Sequence, residues 1–192
     1  MFVQLGHYVM VTNKEQQQTI LPTPSLSNGG VFTVSSSVVI SAPASRVFSA
    51  IVDTGNWHKW NTFVPSVEIL KQPSGHSDNS NKLELGTDMR FNVYMTPGGS
   101  VTSSLEQVTV LDLEGGKICW KFTGAPSWLL RAERVQEMTN KEDGTCEYYT
   151  WETFAGPMAY FVRLIYGNVL NERFQDWGKN LKRYVEEGSL ES

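Results

Sequence analysis

The 192-residue chain is poor in the residues that most often build metal, redox and nucleophile sites, with two cysteines and three histidines. Cys119 and Cys146 are too few for a disulfide framework, and their spacing is not that of a zinc site. His7, His58 and His76 are scattered among polar sequence, so no metal site is expected. No stretch approaches about 18 consecutive apolar residues, which argues against a membrane-spanning helix. Basic residues are also scarce. The net charge is −4, and no run of Lys and Arg supplies the cations a phosphate backbone needs, so nucleic acid is not an expected partner. Phosphate-cradling glycine loops, nucleophile elbows and His-Glu-x-x-His are all missing, so no cofactor is expected. The opening "MFVQLGHYVMV" has no charged start or cleavage site, and no Asn-x-Ser/Thr acceptor occurs. These features point to a reduced, cytoplasmic protein.

What the chain does contain falls into three parts. Residues 1–30 form an extension rich in Gln, Pro, Ser and Gly, expected to be partly irregular and dispensable for folding. Tyr8, Val9 and Val11 are its one candidate edge strand. Residues 31–187 are regular, and 188–192 are a tail. "VFTVSSSVVIS" reads as a strand that breaks at Ala42-Pro43, and Val47, Phe48, Ile51 and Val52 then recur at helical spacing. "NWHKW" follows as a second, very short helix. Six strand-like runs come next, separated by a long polar loop and several Gly-bearing turns, as adjacent antiparallel strands require. From Pro157 to about Glu187 the residues Met158, Phe161, Ile165, Val169, Phe174, Trp177, Leu181 and Tyr184 form an apolar stripe. Such a helix is roughly 45 Å long, and only the concave face of the sheet could cover its stripe.

A strand, two small helices, a six-stranded meander and a long closing helix describe an α+β helix-grip fold: a curved antiparallel sheet wrapped around a C-terminal helix. The sequence resembles the START-like, pollen-allergen-like superfamily, which includes polyketide cyclases/dehydrases and lipid-transport proteins. The matching motifs are "VVISAPASRVFSAIVD", "WHKWNTFV", "TWETFAG" and "FQDWGKNLKRYVEE". The resemblance implies an internal cavity for a hydrophobic small molecule, in a monomer or homodimer. It does not choose between an enzyme and a carrier.

The resemblance also implies where site residues would lie. Trp57, Trp60 and Asn61 stand at the helix-to-strand junction beside the cavity entrance, where the tryptophans either plug the core or line the mouth. Phe91, Trp120 and Phe122 on strands and Phe161 and Ile165 on the helix are candidate lining residues. If Glu152 shares a face with Phe154, then Thr150 and Tyr148 point inward too, as do Arg134 and Gln136 on the preceding strand. Arg134 and Glu152 would form either a ligand-orienting pair or a structural ion pair. Were the protein a cyclase, general acid–base groups would come from Arg134, Glu152, His58 or Tyr94. For His58, a plain surface position is the competing assignment.

Overall fold

The computed structural model describes residues 19–27, 29–73 and 81–188. Tyr8–Val11, His7 and His76 therefore lie outside the described residues. The elements run β1 (Phe32–Ile40), α1 (Ala44–Val52), a 3-10 helix (Thr54–Lys59), β2 (Ser66–Lys71), β3 (Asp88–Tyr94), β4 (Val101–Asp112), β5 (Lys117–Phe122), β6 (Arg131–Asn140), β7 (Cys146–Ala155) and α2 (Met158–Glu187). The seven strands form one antiparallel sheet in the order β1-β7-β6-β5-β4-β3-β2. It is a six-stranded meander with β1 added outside β7, curved around α2 as the helix-grip pattern requires.

Alternation sorts each strand into two faces. Val34 of β1, Trp120 of β5, Arg134 of β6 and Glu152 of β7 sit on the concave side, joined across the sheet by register. Strand β4 departs from simple alternation. A register shift between Val108 and Val110 inserts a bulge, so that Glu106 and Val108 face the concavity before it and Leu111 packs there after it.

The turn from β7 into α2 depends on Gly156, whose φ of +92° is the left-handed region; a Cβ there would lie 2.6 Å from the Leu129 carbonyl oxygen. The helix then packs tightly on β1. A Cβ on Gly178 would meet Val38 Cγ1 at 2.8 Å and Ser36 Oγ at 3.0 Å, so this glycine sets the approach distance. Phe174, Trp177 and Leu181 are buried, as the stripe predicted for the second half of the helix. The first half has another phase. Phe161 and Ile165 are 58% and 62% exposed, and Met158 is also exposed, while Ala159 and Leu170 are buried and Val162 is partly so. Nearly every residue of "MAYFVRLIY" is apolar, so spacing alone could not choose the buried face there. Among the described residues no helix is long and apolar enough to cross a membrane.

Part of the extension proves able to bury itself. Residues 19–27 are irregular, yet they strap the convex face of the sheet. The Trp151 indole donates to the Pro22 carbonyl at 3.0 Å, and Thr153 Oγ1 donates to that of Leu21 at 2.7 Å. Glu133, on the convex side and 1% exposed, anchors the strap. Its Oε2 accepts from Thr23 Oγ1 (2.7 Å) and from the amide and hydroxyl of Ser25 (both 2.6 Å), while Oε1 accepts from Thr109 Oγ1 at 2.9 Å. Four donors satisfy a buried carboxylate that would otherwise be costly. Composition concealed this, because the holding groups are Thr and Ser rather than apolar residues.

Comparing thermal unfolding of a chain that begins at Thr19 with one that begins at Gly30 isolates the strap. We expect the shorter chain to melt about 5–10 °C lower, from the loss of roughly 2–4 kcal/mol of hydrogen bonding and burial. Equal midpoints would show the strap to be dispensable after all.

Candidate functional site

Two ends of the concave face are built differently. Beneath the 3-10 helix, aromatic rings fill the space. Trp57 is fully buried, its indole donating to the Ile51 carbonyl at 3.0 Å. Its ring centroid lies 5.1 Å from Trp177, 5.6 Å from Phe91, 6.0 Å from Trp60 and 6.1 Å from Trp120. Trp60, also buried, packs edge-on to Trp177 and against Tyr184. Neither Trp57 nor Trp60 borders the cavity. Their rings pack this end of the concave face.

Asn61 likewise supports the chain instead of lining the cavity. Its Oδ1 accepts from the amides of Phe63 (3.1 Å) and Val64 (2.9 Å), turning those two residues inward. Phe63 and Val64 do line the cavity.

At the other end a cavity of about 260 Å³ remains between the sheet and the first half of α2. Phe91 and Val93 of β3, Trp120 and Phe122 of β5, Phe154 of β7 and Leu170 of α2 make its wall apolar. Thr102, Ser103 and Tyr166, all lining and all exposed, mark where it reaches the surface. Three charged side chains enter this apolar space: Glu106 from β4, Arg134 from β6 and Glu152 from β7.

Arg134 is 3% exposed. Its guanidinium carbon lies 4.0 Å from the Trp177 ring centroid and 4.2 Å from that of Phe174, with Trp120 at 5.7 Å. Desolvated cation–π contacts of this kind contribute about 2 kcal/mol each. Nε donates to Thr150 Oγ1 at 3.1 Å, and Thr150 in turn donates to the Val135 carbonyl at 2.9 Å. Nη2 is buried and has no hydrogen-bond partner. Burial pulls the Arg134 pKa down from its ordinary value, but an arginine starts so high that it stays a cation.

The two carboxyls are shifted the other way. Burial first, then repulsion from Glu152, pushes Glu106 up to about 8, against the Ser104 hydroxyl that donates to its Oε1 at 2.7 Å and the attraction of Arg134. Glu152, half-buried, is pushed up to about 7 by burial and held back by Arg134. Arg134 and Glu152 are register partners across β6 and β7. Even so, among the described residues the ion pairs do not join them. Burial thus favours the protonated forms of both carboxyls beside one cation.

Of the expected residues, Arg134, Glu152, Phe91, Trp120 and Phe122 meet at the cavity. Gln136 and Thr150 face the concavity but lie behind its wall. Gln136 Oε1 accepts from the Tyr148 hydroxyl at 2.7 Å, which itself accepts from the Trp177 indole at 2.8 Å. His58 is exposed, its Nδ1 2.8 Å from the Gly55 carbonyl oxygen, and it does not border the cavity. Tyr94 falls out of phase with Phe91 and Val93 on β3 and does not border the cavity, as the alternation of that strand already implied. Phe161 and Ile165 project to solvent from α2, where Val162, Tyr166 and Leu170 take their expected places. Glu106 went unanticipated, because the bulge at Val108–Val110 masks the phase of β4.

Comparison with known proteins agrees with this architecture. Residues 31–186 match the polyketide cyclase/dehydrase and lipid transport family, and the chain belongs to it. A Penicillium oxalicum relative, oxopyrrolidines biosynthesis cluster protein O, is 38% identical over 161 residues, covering 73% of this chain and 80% of that protein. The Zhui aromatase/cyclase of a Streptomyces species superposes with a TM-score of 0.65 at 13% identity, over 82% of this chain and 94% of that one. A START superfamily protein from Mycobacterium smegmatis gives 0.58 at 16% identity, over 81% and 97%.

The Glu106 environment makes stability depend on pH in a defined direction. Its folded pKa of about 8 lies above the ordinary value of 4.5, so the folded state holds a proton that the unfolded state releases. Stability is full below about pH 4.5 on this account and falls as pH rises toward 8, by at most about 1.4 kcal/mol per pH unit. Glu106→Gln should flatten that slope in urea titrations run across the range. An unchanged slope would show that Glu106 is ionised in the folded protein.

Proposed function

We propose that the cavity binds a hydrophobic, oxygen-bearing metabolite and acts on it as a cyclase or dehydrase of secondary metabolism. The observation that carries this is the meeting of Glu106, Arg134 and Glu152 inside an otherwise apolar cavity. Cyclisation and dehydration of a polyketide-derived chain need an enolisable carbon held near its electrophile. They also need a proton acceptor for the first and a proton donor for the departing oxygen. Carboxyls near 7 and 8 can serve as base and acid at neutral pH, because each is close to its own midpoint. Arg134 would stabilise a developing enolate oxygen through its free Nη2. The closed aromatic end fixes how deep a ligand sits, and a dry wall excludes competing water. The relatives lend support, one by its place in a biosynthesis cluster, the other as an aromatase/cyclase.

A carrier is the second reading, favoured by the largely apolar wall, which suits a lipid or aromatic metabolite as well as a reacting chain. Incubation with a synthetic poly-β-ketothioester separates the two. A cyclised or dehydrated product, lost about 10²–10⁴-fold in Glu106→Gln and Glu152→Gln variants that still fold, is expected for the enzyme. Recovery of the compound unchanged from a stable complex would establish the carrier instead.

A further inference from the structure

The cavity's polar end is unbalanced in charge. Arg134 is buried, stacked between Trp177 and Phe174, and among the described residues has no ion-pair partner. Its Nε is bound to a neutral hydroxyl and its Nη2 to nothing, although Arg134 borders the cavity. A buried cation of this kind is tolerable only when something compensates it. The two carboxyls that reach the same space approach from opposite flanks, Glu106 on β4 and Glu152 on β7, and neither closes on the guanidinium.

We propose that the ligand supplies the missing charge: the cavity takes a hydrophobic acid, a carboxylate or the enolate of a vinylogous acid, with its anionic oxygen on Arg134 Nη2. This rests on the proposed function in placing the ligand in this cavity, and it adds the ligand's charge state. The anion would sit between Glu106 and Glu152, so binding must drive both toward their protonated forms, and one of them then donates to the ligand's second oxygen. Ligand and proton thus bind together. Other titratable groups around the cluster do not reverse this sign. Tyr148 stands behind Arg134 with its pKa raised by burial, Tyr166 lines the opening, and Arg173 on α2 is already paired with Asp176 at 2.6 Å. Strand β5 contributes only Trp120 and Phe122 to the wall, and Phe63 and Val64 before β2 are apolar.

The test uses two probes of one shape, 2-naphthoic acid and 2-naphthalenemethanol, titrated calorimetrically into the full chain. Near pH 8, enthalpies measured in two buffers of different ionisation heat count the protons exchanged. For the acid we expect net uptake of up to about one proton, and an affinity at least about tenfold weaker near pH 9 than near pH 6. The alcohol should bind more weakly than the acid near pH 6, with little pH dependence and no uptake. Glu106→Gln should reduce the pH dependence of acid binding. Should that variant fail to fold, the proton count on the parent protein still decides. Equal binding of both probes without proton uptake overturns the anion proposal and leaves the hydrophobic-cavity function standing. If neither probe binds, both fall.

Discussion

The Arg134 guanidinium, pressed between the rings of Trp177 and Phe174, ties the sheet to the long helix and at the same time sets the charge of the cavity. Its backbone belongs to β6 and the rings to α2, so the stack fixes where the helix crosses the concave face. Burial makes this cation expensive; ring faces, the Thr150 and Tyr148 hydroxyls and the attraction of Glu152 and Glu106 offset part of that, and Nη2 is left over. The shifted carboxyls follow from the same burial, tempered by the same cation.

Packed rings and charged groups are thereby assigned to opposite ends of one surface. Five rings, Trp57, Trp60, Phe91, Trp120 and Trp177, close the end under the 3-10 helix. Polar groups that need a partner collect where the helix leaves room. Phe91 and Trp120 belong to both groups, so the plug is also the floor on which a ligand would rest.

The fold was largely legible in the sequence because it rests on periodicity: strand alternation, Gly-bearing turns and a 30-residue helix whose second half carries an apolar stripe. The inward set on β6 and β7 was legible for the same reason, once Phe154 fixed the phase. The site was legible only in part. His58 and Tyr94 were chosen for their chemistry, while their orientation was decided by a surface turn and by the phase of β3. Glu106 was hidden by a bulge, Phe161 and Ile165 by a helix segment apolar on all sides. The strap at 19–27 escaped because hydroxyls meeting a distant carboxylate leave no local pattern.

The bulge in β4 has a consequence for how this protein can change. Thr109, the residue between the two shifted positions, sends its hydroxyl to Glu133 on the convex side, while Glu106, three places earlier, enters the cavity. One extra residue thus serves both faces, giving the strand two reading frames. Deleting it would restore plain alternation at the expense of one frame: with the later half of β4 held, Glu106 would turn outward and Leu105 inward. A single-codon deletion would thus remove one carboxyl from the cavity while Arg134 and Glu152 stay in place. Within such a fold, the charge carried by a cavity can turn on one residue of length.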